Sequence, residues 1–285
     1  MSQFPLVSVQ WLKGRLNDPS VVVLDATYHL PIFDRDAKAE FTAERIPGAR
    51  FFDVDNIKDP DNPLPHMVPS PDLFAEAVGA LGITNDQHVV CYDTYGLFSA
   101  ARPWWMFRLF GHDRVSVLDG GMPAWKSAGL PLDEGDPPAP TATKFKAKLQ
   151  PELLRCRTDI IANLEDGAEV VLDARPADRF DGSTPEPRPE VRGGHIPGSL
   201  NLSFQNLVDP DTKKVKSVHA LQKLYEAAGV NIGRDRIVTS CGSGVTACAL
   251  ALGLHLLGDE TAAVYDGSWS EWGTHPDSPI DNPSA

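Results

Sequence analysis

The chain has 285 residues, 42% of them hydrophobic and 23% charged, with a formal net charge of −13. This is the make-up of an ordinary soluble globular protein, about two domains of roughly 150 residues long, each large enough to bury a core without disulfide staples. The acidic field disfavours nucleic acid and anionic membrane as partners, and an anionic substrate would need a local positive patch built against it.

In chain order, Met1–Val7 has no basic segment leading into an apolar stretch, so no secretory leader is expected. Short apolar runs at 21–24, 89–92 and 115–118 read as buried parallel strands, as do those at 170–172, 237–240 and 262–265. Between them lie amphipathic stretches such as Leu73–Val78 and Ala220–Tyr225, which read as helices. The most apolar helical stretch, about Ala247 to Gly258, is too short to span a bilayer. Strand–helix alternation implies an α/β fold, each domain a mainly parallel sheet with helices on both faces. The proline-rich segment around Asp136-Pro137-Pro138-Ala139-Pro140 reads as a linker. The expected domains are therefore 1–132 and 153–285, joined by 133–152.

The two halves repeat one another. Val21–Ala26 returns as Glu169–Ala174 at an offset of 148, and Ile46-Pro47-Gly48-Ala49 as Ile196-Pro197-Gly198-Ser199 at 150. His88–Asp93 matches Arg236–Cys241 at 148, and Asp119-Gly120-Gly121 with Trp125 matches Asp266-Gly267-Ser268 with Trp272 at 147. Four motifs in one order at nearly one offset indicate a duplication.

The four cysteines form no disulfide framework and lack metal-ligand spacing. Placing Cys248 two turns into a helix sets it about 10 Å from Cys241, too far for a disulfide. Reduced cysteines and the absence of a leader point to a cytoplasmic protein. No metal or cofactor is expected.

One cysteine differs in setting. Cys241 follows the strand 237–240 and opens the loop Cys241-Gly242-Ser243-Gly244-Val245-Thr246-Ala247, with a helix just downstream. That is the carboxyl end of a strand, where open α/β sheets place their ligand crevices. Gly242 and Gly244 permit a tight turn and close approach of backbone to a ligand. Amides of such a turn form an anion nest, and the helix N-terminus adds positive potential, so the loop favours a thiolate. The alternative is a buried structural cysteine beside a glycine turn.

The loop resembles the active-site loop of tandem rhodanese-type sulfurtransferases, in the 3-mercaptopyruvate sulfurtransferase branch. The likeness extends over both repeats, the segment His195-Ile196-Pro197-Gly198 and Asp266-Gly267-Ser268-Trp269. It implies two tandem rhodanese-like domains, the C-terminal one catalytic and the N-terminal one inactive. The repeat agrees, since it sets Asp93 opposite Cys241, and a carboxylate cannot hold a persulfide. Loop composition narrows the chemistry. Related cysteine phosphatases carry arginine six positions after the cysteine, where this chain has Ala247. Thiosulfate-specific relatives carry two cations directly after the cysteine, where Gly242 and Ser243 are neutral.

By the same resemblance, Arg179 and Arg188 in Asp178-Arg179-Phe180-Asp181-Gly182-Ser183-Thr184-Pro185-Glu186-Pro187-Arg188 hold the carboxylate and keto oxygen of 3-mercaptopyruvate. Guanidinium forks suit such an anion. Gly242, Gly244, Val245 and Thr246 complete the substrate-binding loop. Ser243, with His66 and Asp55 from the N-terminal half, matches a Ser–His–Asp set proposed for the family, the alternative being interdomain packing and turn capping. Ser99, Arg102, Trp104 and Trp105 are expected to pack rather than react. The implied reaction passes sulfur from the donor through a Cys241 persulfide to a thiol such as thioredoxin, a low-molecular-weight thiol or cyanide. Competing readings are a thiosulfate sulfurtransferase, a non-catalytic rhodanese-like binding module, and a redox sensor at Cys241.

Overall fold

The computed structural model describes residues 4–284, so the first three residues of the stretch read for a leader lie outside it. The chain divides into two compact units that interleave in sequence. Unit 1 comprises residues through Pro60, Val68–Gln150 and Asp209–Val215. Unit 2 comprises Asp61–Met67, Pro151–Val208 and residues from Lys216 onward.

Unit 1 holds β1 (Leu6–Val7), β2 (Val21–Asp25), β3 (Arg50–Phe51), β4 (His88–Tyr92) and β5 (Val115–Leu118), in the order β1-β5-β4-β2-β3. Unit 2 holds β6 (Leu154–Arg155), β7 (Val170–Asp173), β8 (Leu200–Asn201), β9 (Ile237–Ser240) and β10 (Ala263–Tyr265), in the order β6-β10-β9-β7-β8. Every pairing within the two sheets is parallel, and the second order is the first repeated. The six apolar runs are the central strands. Each is flanked by neighbours on both sides and buried, which is why it reads as a continuous hydrophobic stretch rather than an alternating one.

Helices cover both faces of each sheet. The helix Pro71–Ala80 begins with proline at its first turn, and Ser70 Oγ accepts from Leu73 N–H. Its counterpart Val218–Ala227 is capped in the same way by Ser217. The inward residues are Phe74 and Val78 in one, Leu221 and Tyr225 in the other. Tryptophans close each core in matching fashion: Trp125 Nε1 donates to Pro131 O (2.9 Å) and Trp272 Nε1 to Pro279 O (2.7 Å). A buried indole needs such a partner for its N–H.

The stretch read as a linker lies against unit 1 over its second half. Thr143 N–H donates to Gly79 O, Lys148 N–H to Phe110 O and Gln150 N–H to Leu109 O. A Cβ at Gly79 would fall 2.6 Å from Thr143 O, so glycine is what lets this strand of backbone close.

Unit 1 carries an acid-sensitive contact. His88 Nε2 lies 2.7 Å from Ser116 Oγ, whose own proton is directed to Phe4 O, so Nε2 carries a hydrogen and donates. Burial, with Arg114, His112 and Arg15 nearby, lowers the His88 pKa from 6.5 to about 4. Between these values the unfolded chain binds more protons than the folded one. Stability is therefore complete above pH 6.5 and declines as pH falls toward 4. Calorimetry should show unit 1 melting at progressively lower temperature across that window. His88→Gln should flatten the slope in part, because His112 is depressed by burial too.

Candidate active site

β9 is buried along its length and ends at Ser240, which delivers Cys241 to the carboxyl edge of the second sheet. Cys241 is 1% exposed, and its backbone is held at both polar atoms. Its N–H donates to Ser268 Oγ (3.1 Å), and its carbonyl accepts from Trp269 N–H (2.9 Å). Ser268 in turn donates to Tyr265 O (2.7 Å), at the end of the neighbouring strand β10. Gly242 O accepts from both Ser270 N–H (2.8 Å) and Ser270 Oγ (2.6 Å). The cysteine thus sits on a backbone fixed from the next βα turn rather than on a free loop.

The loop turns at Gly244, whose φ of +75° lies in the left-handed region. Gly242 serves differently. It is not in that region, and a Cβ there would meet Arg179 NH2 at 3.3 Å, so its missing side chain makes room for the guanidinium. The helix Ala247–Leu256 follows and is buried through His255. Cys248 is its second residue, not two turns in, and its Sγ donates to Gly244 O (3.1 Å). The placing of Cys248 two turns into the helix is corrected accordingly; none of the four cysteines is in a disulfide. Burial pushes the Cys91 thiol far up, out of the range of a nucleophile.

The equivalent loop of unit 1 displays what such a turn binds. Asp93 is fully buried, and its carboxylate accepts five backbone N–H bonds, each at 2.8 Å. Oδ1 takes Tyr95 and Gly96, and Oδ2 takes Phe98, Ser99 and Ala100. Gly96, the counterpart of Gly244 at offset 148, has φ +104°. This is an anion nest occupied by the chain's own carboxylate. At the same offset, its donors correspond in unit 2 to the amides of Ser243, Gly244, Thr246, Ala247 and Cys248.

The arginines expected at the site lie around the Cys241 loop. Arg179 is on the short helix Ala177–Phe180, and Glu186 grips it through Nε (3.2 Å) and NH2 (2.5 Å). Glu186 also accepts from Arg175 NH1 (3.0 Å). Arg175 is buried, paired with Asp173 at 2.7 Å, and stacked 4.3 Å over the Trp269 ring. Burial opposes its charge, but the Asp173 and Glu186 carboxylates more than offset this and hold the guanidinium above its ordinary pKa. Arg188 NH1 donates to Ser270 Oγ (3.0 Å), the hydroxyl that is bonded to Gly242 O. Three guanidiniums set against the Asp173 and Glu186 carboxylates thus leave one positive charge in excess among these five side chains, within a chain of net charge −13.

His66, expected from the N-terminal half, falls in the segment Asp61–Met67 that belongs to unit 2. There its Nδ1 lies 3.0 Å from Ser243 Oγ, with both side chains buried. The His66 backbone has φ +62°, unusual for a residue with a side chain, so the turn that aims this ring is strained. Asp55 belongs to unit 1, where its N–H donates to Asp53 Oδ1 (3.1 Å). Val245 is buried, and Thr246 is the residue before the helix without a side-chain cap bond. In unit 1, Ser99 Oγ accepts from Tyr28 N–H (3.2 Å), and buried Arg102 stacks 4.8 Å over Trp105.

Four residues here were not singled out by sequence reasoning: Arg175, Glu186, Ser268 and Ser270. One signal did exist for Ser268. The repeat aligns it with Gly121, and both adopt left-handed backbone, at φ +49° and +52°. A serine where its twin is glycine carries a hydroxyl at a position whose backbone favours glycine. Among the described residues, no group of three or more His, Cys, Asp or Glu side chains could hold a metal ion, and no helix is long and apolar enough to cross a membrane.

The rhodanese-like domain family matches residues 8–128 and 157–275. The chain is 44% identical over 273 residues to 3-mercaptopyruvate sulfurtransferase of Rattus norvegicus, covering 94% of this chain and 91% of that protein. It is 40% identical over 282 residues to 3-mercaptopyruvate sulfurtransferase of Escherichia coli K12, covering 99% of each. It is 41% identical over 300 residues to mitochondrial thiosulfate/3-mercaptopyruvate sulfurtransferase 1 of Arabidopsis thaliana, covering 98% of this chain and 78% of that one. Among solved structures, SseA of Escherichia coli, described as a 3-mercaptopyruvate sulfotransferase with a rhodanese fold, superposes with a TM-score of 0.85 at 38% identity. The match covers 94% of this chain and 99% of that one.

Proposed function

The chain belongs to the rhodanese-like domain family, with two copies of the domain in tandem, and on that premise we propose that it is a 3-mercaptopyruvate sulfurtransferase. The observation that carries this reading is the Cys241 loop, which is neutral at 242 and 243 yet flanked by Arg179 and Arg188. A neutral loop suits a donor whose charge lies away from its sulfur, and two guanidiniums suit a carboxylate with an adjacent keto oxygen. The names of the relatives from rat and Escherichia coli agree with that donor.

In the first step the Cys241 thiolate attacks the sulfur of 3-mercaptopyruvate. The new S–S bond forms as the C–S bond breaks, and its electron pair departs on carbon as the enolate of pyruvate. The donor's thiol proton is transferred to that carbon, leaving pyruvate and an anionic Cys241 persulfide. We take Ser243, which is bonded to His66, to relay the proton. The amides of Ser243, Gly244, Thr246, Ala247 and Cys248 receive the persulfide anion as their counterparts receive Asp93. In the second step a thiol, from thioredoxin or a small molecule, or cyanide takes the outer sulfur. Thiosulfate is a secondary donor, in keeping with the name of the Arabidopsis thaliana relative. The cytoplasm, where thiols are kept reduced, is the compartment that suits a free-thiol nucleophile.

Incubation with 3-mercaptopyruvate in the absence of an acceptor should release one equivalent of pyruvate and add one sulfur to the peptide bearing Cys241, as read by mass spectrometry. Absence of both overturns the assignment.

A further inference from the structure

The charges beside the Cys241 loop are arranged in a balanced group. Asp173 binds Arg175 through both carboxylate oxygens (2.7–3.1 Å), and Glu186 binds Arg175 and Arg179 together. Two guanidiniums thus meet two carboxylates. Glu186 has only 4% of its side chain exposed, so solvent screens these contacts weakly. Arg179, at 20%, is the most exposed side chain of the four and the one whose NH1 and NH2 reach toward Gly242. Arg188 stands apart from the group, its NH1 bonded to the neutral Ser270 hydroxyl.

We propose that Glu186 sets the charge of the donor that the site accepts. By neutralising Arg179 while fixing its orientation, it leaves the positive charge of Arg188 as the main excess at the clamp, which matches a monocarboxylate and not a dianion. Glu186 touches no reacting atom in this scheme; it is a positioning residue that acts through Arg179. The two-oxygen grip occupies the Nε–H and one N–H of NH2, leaving NH1 and the second N–H of NH2 as donors of fixed direction for the substrate. Arg179 then contributes geometry and Arg188 contributes net charge. The inference rests on the sulfurtransferase reading above and goes beyond it by assigning the discrimination between a mono- and a dianionic sulfur donor to a residue outside the loop.

The test compares kcat/KM for 3-mercaptopyruvate and for thiosulfate, with cyanide as acceptor at fixed ionic strength, in wild type, Glu186→Gln and Glu186→Asp. Glutamine keeps the shape and one acceptor oxygen but removes the charge. Glu186→Gln should raise the thiosulfate-to-mercaptopyruvate ratio by roughly tenfold or more, chiefly through a lower KM for thiosulfate, with the gain shrinking as salt is added. Glu186→Asp keeps the charge on a shorter arm, so both activities should fall with the ratio within about twofold of wild type. A ratio in Glu186→Gln that stays at the wild-type value, or moves toward mercaptopyruvate, overturns the proposal. Wild-type protein gives a check that does not depend on a variant's folding: pyruvate should inhibit the mercaptopyruvate reaction at lower concentration than sulfate, and the reverse order overturns it. If wild type itself yields no thiocyanate from 3-mercaptopyruvate, the functional reading fails instead.

Discussion

Cys241→Ser should lower the rate of thiocyanate formation from 3-mercaptopyruvate and cyanide by at least about a thousandfold. The argument is chemical. A serine hydroxyl stays protonated near neutrality and attacks sulfur poorly, and an oxygen at this position cannot store the transferred atom as a persulfide. The substitution is nearly isosteric, and the backbone bonds from Ser268 and Trp269 do not involve the side chain. Thermal unfolding should therefore move by no more than about 1–2 kcal/mol of stability. Cys156→Ser, at the exposed cysteine, supplies the control and should keep the full rate. Steady-state thiocyanate assays beside calorimetry separate the outcomes. Residual activity in Cys241→Ser within tenfold of wild type would move the nucleophile elsewhere.

The central strands and the nucleophile loop were legible in the sequence because each depends on local composition. Val21–Leu24 or Ile237–Ser240 must be apolar throughout to lie inside a parallel sheet, and a glycine-flanked cysteine after such a run has few other uses. The edge strands β1, β3, β6 and β8 are two residues long, too short to carry any period, and only pairing reveals them. The division into units was harder for a related reason. Asp61–Met67 joins unit 2 although it lies in the first repeat, because what places His66 is a hydrogen bond across 177 positions to Ser243. The clamp shows the same limit. Arg179 and Arg188 drew notice as cations facing an expected anion, whereas Glu186 and Arg175 matter through one shared carboxylate, which no spacing predicts. Gly242 reads as permitting a turn and close approach to a ligand; that it also leaves space for Arg179, over 63 residues counted from 179 to 242, no local pattern reveals.

The second large effect is expected in unit 1. Asp93→Ala should destabilise that unit by at least about 4 kcal/mol, equivalent to a fall in its melting temperature of roughly 10 °C or more. Five N–H groups converge on the carboxylate and hold the loop from Tyr95 to Ala100 around it. Each buried donor left without a partner costs about 1–3 kcal/mol, and water entering the cavity would recover only part of that sum. Asp93→Asn should fall between the two proteins, since its amide nitrogen presents hydrogens to donors that need an acceptor. The nest also makes a positive prediction: sulfate should raise the melting temperature of unit 1 in Asp93→Ala by more than in wild type, because only in the variant are the inward-pointing amides of unit 1 left for an added anion to fill. Calorimetry over a sulfate series, with ionic strength held by chloride-free buffer, reads both effects. If Asp93→Ala melts within about 1 kcal/mol of wild type, the loop does not depend on its internal anion. The analogy that assigns the matching amides of unit 2 to the Cys241 persulfide would then lose its support. If the variant is both destabilised and rescued by sulfate, the duplication has preserved one anion-binding turn in two forms. One is filled permanently by Asp93, and the other is left for the sulfur that Cys241 carries.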